Sequence, residues 1–413
     1  MAKRAATKRA SSGRRGGAKQ RATAAPTLKN ILGQPSWAVA GGQVQAFVTE
    51  LGGHVGPVRF RLDGRVVEPY SVAPWATEKL DPRTNPPVIR VLRGDFFCMP
   101  FGGNTTPFGR EKHPVHGETA NAKWRFQSLQ TTPEGRTCLH LSLRTRIRPG
   151  LVDKRISLIR GHRAIYSQHV IRQMSGPMTF GHHAMLRFPD EPGSGVISTS
   201  PFVYGQVFPE PIERPENRGY SILQPGAEFT SLESVPMVTG QTTDLSRYPA
   251  RRGYEDLVML VSDSSVPFAW TAVTFAKQGY VWFALKDPNV LPHTVLWISN
   301  GGRHYAPWNG RHINVMGLEE VLSYFHPGLA ESVAENPISR KGYPTYVELN
   351  PNRPMVVNYI MAVARIPQGF DRVAQIQADQ DEQSVTLTSA SGQSVSAPID
   401  VSFLRSAAAE AAA

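Results

Sequence analysis

From about Gly42 onward, apolar and polar residues alternate along the chain with a period of two. The runs QVQAFV at 43–48 and VRFRL at 58–62 begin the pattern. LHLSLRTRI then sets Leu139, Leu141 and Leu143 on one face and His140, Ser142 and Arg144 on the other. Further strand-length runs are RISLI at 155–159, AIYSQHVI at 164–171, DLVMLVS at 256–262 and FAWTAVTF at 268–275. YVWFAL at 280–285, TVLWIS at 294–299 and MVVNYIMAVARI at 355–366 follow. Successive strand side chains point to opposite faces, so each run has a core side and an outer side. Turn signals separate the runs and helical periodicity is nearly absent, which predicts an all-β fold of antiparallel sheets packed as a sandwich.

A few segments break the pattern. The one helical candidate is Glu319–Glu335, where Pro327 limits the expectation to short helical turns. Residues 205–250 are rich in Pro, Gly and Glu, and a loop that long predicts a flap over a site. SVTLTSASGQSVSAPIDVSFL at 384–404 reads as a small hairpin with a Ser-Gly turn. No fixed-period repeat or linker divides the chain. The expected organisation is one domain over 35–404, between a disordered basic tail at 1–34 and an Ala-rich tail at 405–413.

Composition changes this picture in two places. Gly (36) and Pro (34) are abundant among 413 residues, which agrees with many short strands joined by turns. The net charge of +12 suggests nucleic acid at first sight. Eight basic residues and no acidic ones lie in positions 1–25, which leaves only +4 for everything after them. Any nucleic-acid contact is therefore expected to be weak and confined to the tail. Cys98 and Cys138 form neither a disulfide framework nor a metal-ligand spacing. No apolar run is long enough to span a membrane and no apolar segment follows the basic start, so a cytoplasmic location is expected.

The candidate chemistry centres on Val91–Trp124, VLRGDFFCMPFGGNTTPFGREKHPVHGETANAKW. Its Gly- and Pro-rich turns gather Arg93, Asn104, His113, His116, Glu118 and Asn121, which makes it one wall of a ligand site. The doublets His182–His183 in FGHHAMLRF and Glu319–Glu320 in MGLEEV lie far away in sequence. Each feature has a plain alternative: a turn-bonding His, a structural Arg, acidic residues at a helix start. Together they allow a carboxylate and an imidazole to flank one ligand, a pairing suited to proton transfer near neutral pH. A metal site built from His113, His116, His182, His183 and Glu118 ranks below that. His182 and His183 point to opposite faces of a strand and cannot easily share one ion. Phosphate-loop, dinucleotide, G-x-S-x-G and H-E-x-x-H motifs are absent.

These residues resemble the aldose 1-epimerase (galactose mutarotase-like) superfamily, over about residues 45–366. Arg93-Gly94 leading to Met99-Pro100-Phe101-Gly102, then His116-Gly117-Glu118-Thr119-Ala120-Asn121 and Trp124, follow the order of its hexose-phosphate branch. GHHAMLRF is similar to the strand carrying the second family His, which points to His183. Gly317-Leu318-Glu319 is similar to the strand carrying the catalytic Glu. Asn336-Pro337, Tyr343-Pro344 and LNPNRPMVVNYIMAV complete the likeness.

The resemblance implies a β-supersandwich with a few short helices and an isomerase acting on a small carbohydrate without cofactor or metal. Glu319 would take the proton of the anomeric hydroxyl and His183 would protonate the ring oxygen, from opposite sides of the hemiacetal. His116, Arg93, Asn121 and His182 would hold the sugar. Three departures matter. Asp95 stands for a Gly, Ala120 for an Arg tied to phosphate recognition, and Glu118 for an apolar residue. They point to a neutral sugar, or alternatively to a non-catalytic carbohydrate-binding protein on the same fold.

Overall fold

Two large antiparallel sheets face each other in the computed structural model, which describes residues 26–407. The first has nine strands. It runs from Arg247–Tyr248 through Gly195–Thr199, Ala269–Phe275, Tyr280–Lys286, Met355–Arg365, Ala164–Arg172, Gly150–Ile159 and Arg136–Thr145 to Arg125–Thr131. The second has seven: Glu228–Phe229, Phe202–Val207, Tyr254–Ser262, His293–Asn300, Val315–Leu322, Phe180–Arg187 and Phe97–Cys98. A five-stranded sheet from Lys29–Ile31 to Arg65–Val67 joins the same core, and a three-stranded sheet over 373–398 covers the back of the nine-stranded one. The expected β-supersandwich is present.

The alternation read from the sequence sorts side chains between layers. In Val315–Leu322, Met316, Leu318 and Leu322 join the core between the two large sheets, with Val258, Leu260, Leu296 and Ile298 of neighbouring strands. The intervening positions Val315 and Val321 join a second core on the outer face, with Leu257, Met259, Val295 and Trp297. That outer face would be exposed in a bare sheet. Here loops cover it, bringing Trp75, Phe96, Phe101, Trp308 and Phe325. The site lies in this loop-covered layer.

Two expectations change, one of them in part. Residues 29–34, expected in the tail, form the first strand and its turn, because Arg93 donates to the Ile31 and Leu32 carbonyls at 2.7 and 2.9 Å and ties the segment down. The rest of the expected basic tail at 1–25 lies outside the described residues, as does 408–413 of the Ala-rich tail. The helical candidate begins as strand, turns through 323–328 and has one short helix, in line with the short helical turns expected after Pro327. Glu319–Leu322 pairs on both sides within the sheet, and helix is confined to Leu329–Val333, after Pro327. Cross-strand pairing with Phe180–Arg187 and His293–Asn300 overrides the local preference of the acidic doublet.

Candidate functional site

Strand register builds the site's centre. His183 of Phe180–Arg187 lies opposite Glu319 of Val315–Leu322. Both side chains point to the outer face, and His183 Nε2 sits 3.1 Å from Glu319 Oε1. The next pair in register, His182 opposite Glu320, points the other way, into the sandwich. The two doublets thus each divide between faces, and Glu319 and His183 are the members that meet the cavity.

His116 arrives from the loop. It adopts φ +59° and Gly117 φ +72°, two consecutive left-handed residues. A Cβ on residue 117 would lie 1.8 Å from the Met99 carbonyl oxygen, so only glycine permits this crossing of chains. The turn carries the His116 ring to 5.0 Å from that of His183 and 5.2 Å from that of His326. Phe96 stacks on His183 at 4.5 Å and fixes the plane of its ring.

These groups line a cavity of about 120 Å³ with Val88, Leu92, Ile212, Trp297, Arg303 and Trp308. A water needs at least about 10–15 Å³ on this measure, so the space takes on the order of ten such groups, the size class of one sugar ring. Ile212 comes from the segment expected to form a flap, and Glu213 beside it bonds Arg303. Polar groups on aromatic walls characterise small-molecule pockets.

Burial sets the electrostatics. It pushes the Glu319 carboxyl well above the usual carboxylate range and pulls His183 down to about 3. His116 is lowered in the same way, and His326 falls to about 4. Desolvation disfavours the charged form of each group. At neutral pH the pair therefore carries its one titratable proton on Glu319, with His183 Nε2 3.1 Å from Oε1.

The structure brings together His116, His183 and Glu319. It does not bring Arg93, Asn121 or His182 to the cavity. Arg93 is fully buried, and its guanidinium is taken by the carbonyls of Val91, Ile31 and Leu32. Asn121 pins its own loop, accepting from Val88 N and donating to the Val115 and Gly117 carbonyls. His182 Nδ1 bonds Asp95 Oδ2 at 2.8 Å on the inner face. The expected placement of acid and base on opposite sides of the ligand is also replaced, because His183 and Glu319 stand side by side on one wall.

The three departures from the family pattern do not reline the cavity. Asp95 turns inward to His182, Glu118 accepts from the backbone N–H groups of Arg146 and Ile147, and Ala120 is core. His113 bonds Glu111 at 2.8 Å. Among the described residues no group of three or more His, Cys, Asp or Glu is placed to hold a metal.

Four polar or aromatic cavity residues escaped the sequence reading: Trp297, Arg303, Trp308 and His326. The stretch 300–314, NGGRHYAPWNGRHIN, combines Gly and Pro with Arg, His, Asn and aromatics, the criterion that singled out Val91–Trp124. Applied there too, it finds Arg303 and Trp308.

No protein-family model matches the chain, and no curated protein matches it by sequence. Solved structures do. A candidate aldose 1-epimerase from Escherichia coli K12 superposes with TM-score 0.52 at 13% identity, covering 81% of this chain and 100% of the other. A galactose mutarotase-like protein from Clostridium acetobutylicum gives 0.53 at 12%, covering 82% and 98%. A galactose mutarotase related enzyme from Lactobacillus acidophilus gives 0.50 at 11%, covering 81% and 99%. The fold is therefore that of the galactose mutarotase-like proteins. At these identities the likeness concerns fold alone.

Proposed function

We propose that this protein interconverts the α and β anomers of a sugar by metal-free acid–base ring opening. The observation that carries the reading is the His183–Glu319 pair, 3.1 Å apart on the wall of an aromatic cavity the size of one ring. A pyranose opens when O1–H loses its proton, the ring oxygen gains one, the C1–O5 bond breaks and C1=O1 forms. Both oxygens are bonded to C1, so an acid and a base standing side by side reach them together. With the pair's proton first passed from Glu319 to His183 as the substrate docks, Glu319 takes the O1 proton and His183 delivers one to O5. After rotation about C1–C2, reclosure runs the pair in reverse, with Glu319 returning a proton to O1 while His183 takes one from O5–H. The pair holds one proton before and after, so it needs no exchange with solvent in the cycle. His116 supports the substrate beside the pair.

The test is anomer exchange by NMR or polarimetry on a panel of aldoses with the full chain. Acceleration over buffer for at least one aldose is expected. Folded protein that accelerates none sinks the reading. The binding-only alternative rested on a pocket relined by Asp95, Glu118 and Ala120, and none of the three faces the cavity.

A further inference from the structure

Arg303 stands in a loop with no strand periodicity, yet its position is over-determined. Its guanidinium lies 4.5 Å from the Trp308 ring and 5.3 Å from the Trp297 ring. Nε donates to Glu213 Oε1 at 2.6 Å, an oxygen that also accepts from the Tyr305 hydroxyl at 2.9 Å. Glu255 Oε2 is 3.8 Å away. Glu255 is itself held by Trp297 Nε1 at 3.1 Å, Ser299 Oγ at 3.0 Å and the Gly302 N–H at 3.3 Å. Residue 302 must be glycine for this approach, since a Cβ there would come within 2.4 Å of the Glu255 nitrogen.

All these contacts leave the far end of the guanidinium free. Nη1 and Nη2 have no hydrogen-bond partner among the described residues, and Arg303 lines the cavity. A planar fork of donors locked by stacking and by a carboxylate behind it is pre-organised to grip two neighbouring oxygens. Arg93, the arginine expected to hold the sugar, is bound to backbone carbonyls instead.

The charge around this fork selects what it grips. Arg303 faces Glu213 directly, so the two cancel. Burial lifts Glu255 to about 7 and Glu319 well above its usual range, which keeps both largely neutral at or below neutral pH. The remaining lining is Trp, Phe, aliphatic carbon and imidazoles that burial keeps neutral. A phosphate or carboxylate entering here brings charge that nothing offsets, into a site walled by aromatic and aliphatic side chains.

Resting on the anomer-exchange reading of the same cavity, we infer that Arg303 is the substrate-binding cation of this site. Its two free nitrogens hold a vicinal hydroxyl pair, and the site selects neutral monosaccharides over sugar phosphates and sugar acids.

The experiment is ligand-observed saturation-transfer NMR, with Trp fluorescence titration, on the full chain. The probes are D-galactose, D-glucose, D-galactose 6-phosphate and D-galacturonate. Arg303→Lys keeps the charge opposite Glu213 and Glu255 but loses the fork, and near-UV circular dichroism checks its fold. Arg303→Gln is the second variant, with Glu213→Gln added to relieve the stranded carboxylate. The wild type is expected to bind a neutral sugar at least roughly tenfold more tightly than its charged counterparts. Arg303→Lys should weaken the neutral sugar by roughly tenfold to a hundredfold. A folded Arg303→Lys protein that binds as the wild type does overturns the assignment, and so does tighter binding of the 6-phosphate or the uronate. Wild-type protein that binds a neutral sugar through Arg303 yet exchanges no anomers sinks the catalytic reading and leaves this one standing. Failure of the wild type to bind any probe overturns both.

Discussion

His183 and Glu319 face each other across two neighbouring antiparallel strands, with Nε2 and Oε1 3.1 Å apart. Sheet register makes that contact, and a slip of one residue would bring His182 or Glu320 to the cavity instead. The geometry is thus held by the whole pairing of Phe180–Arg187 with Val315–Leu322.

The pair acts as one unit, so its mutants should not add. Glu319→Gln and His183→Asn are each expected to lower anomer exchange by about 10²–10⁴ while sugar affinity stays within a few-fold. The double variant should lose little more than the worse single one. NMR exchange rates on the three proteins check this. Independent, multiplicative losses would show that the two residues do not share a proton.

The rate profile should look unlike that of an ordinary histidine enzyme. His183 is drawn down to about 3, so it does not become a second protonated group until well below pH 5. The exchange kcat/KM is therefore expected to stay level between pH 5 and 6.5, measured over the range in which the protein remains folded. A break near 6.5 would mean that a solvent-exposed imidazole carries the proton.

Arg93 separates a structural arginine from a binding one. Arg93→Met leaves the buried Val91 carbonyl, and the part-buried bonds to Ile31 and Leu32, without their shared donor. An unsatisfied buried acceptor costs about 1–3 kcal/mol, so a loss of at least that size in denaturant unfolding is expected. Sugar affinity at low temperature should be unchanged. Weakened binding with undiminished stability would return Arg93 to the pocket.

The architecture was legible because period-two alternation is a physical property of strands, and nearly every run read from it became one. The site was half legible. Positions in register, His183 and Glu319, could be placed once the doublets were assigned to strands, although which member faces out depends on which side of the sheet the loops cover. Arg93 and Asn121 were misplaced because a short polar motif does not reveal whether its side chain bonds ligand or backbone. Arg303 and Trp308 were missed because their loop carries no periodicity. Their partner Glu213 lies about ninety residues earlier in the chain, and only the fold brings it to Arg303.

Glu320 offers the counter-experiment to Glu319, one residue away and on the opposite face. It accepts from Thr271 at 2.6 Å and Thr294 at 2.7 Å and pairs with Lys286, all buried. Glu320→Gln strands the Lys286 ammonium between the sheets and should cost about 3–5 kcal/mol of stability. The exchange rate of the protein that remains folded should be unaltered. A loss of rate with intact stability would place Glu320, and not Glu319, at the reacting atoms.

The last prediction concerns pH and stability. Nine imidazoles are held below their ordinary value by burial: His54, His113, His116, His162, His169, His183, His293, His312 and His326. Each contributes stability that is complete above the unfolded value near 6.5 and is lost as the pH falls toward its folded value. Three carboxyls are raised by burial, Glu319 together with Glu255 and Asp256, the latter two to about 7. Their contribution has the opposite sign, present at low pH and lost as the pH climbs through the folded value. Between pH 4.5 and 6.5 the imidazoles outnumber the acids, so the unfolded chain binds more protons and stability falls on acidification. Each net proton is worth up to about 1.4 kcal/mol per pH unit. From pH 6.5 to 8 the unfolded imidazoles finish deprotonating while the raised carboxyls ionise, so the slope reverses close to neutrality. Calorimetric Tm measured from pH 4.5 to 8 is therefore expected to peak at about pH 7, with net proton uptake on unfolding along the acid side. A Tm that stays constant from pH 4.5 to 6.5 would mean that water reaches these histidines in the folded protein, and the burial that sets the His183–Glu319 pair would be lost with them.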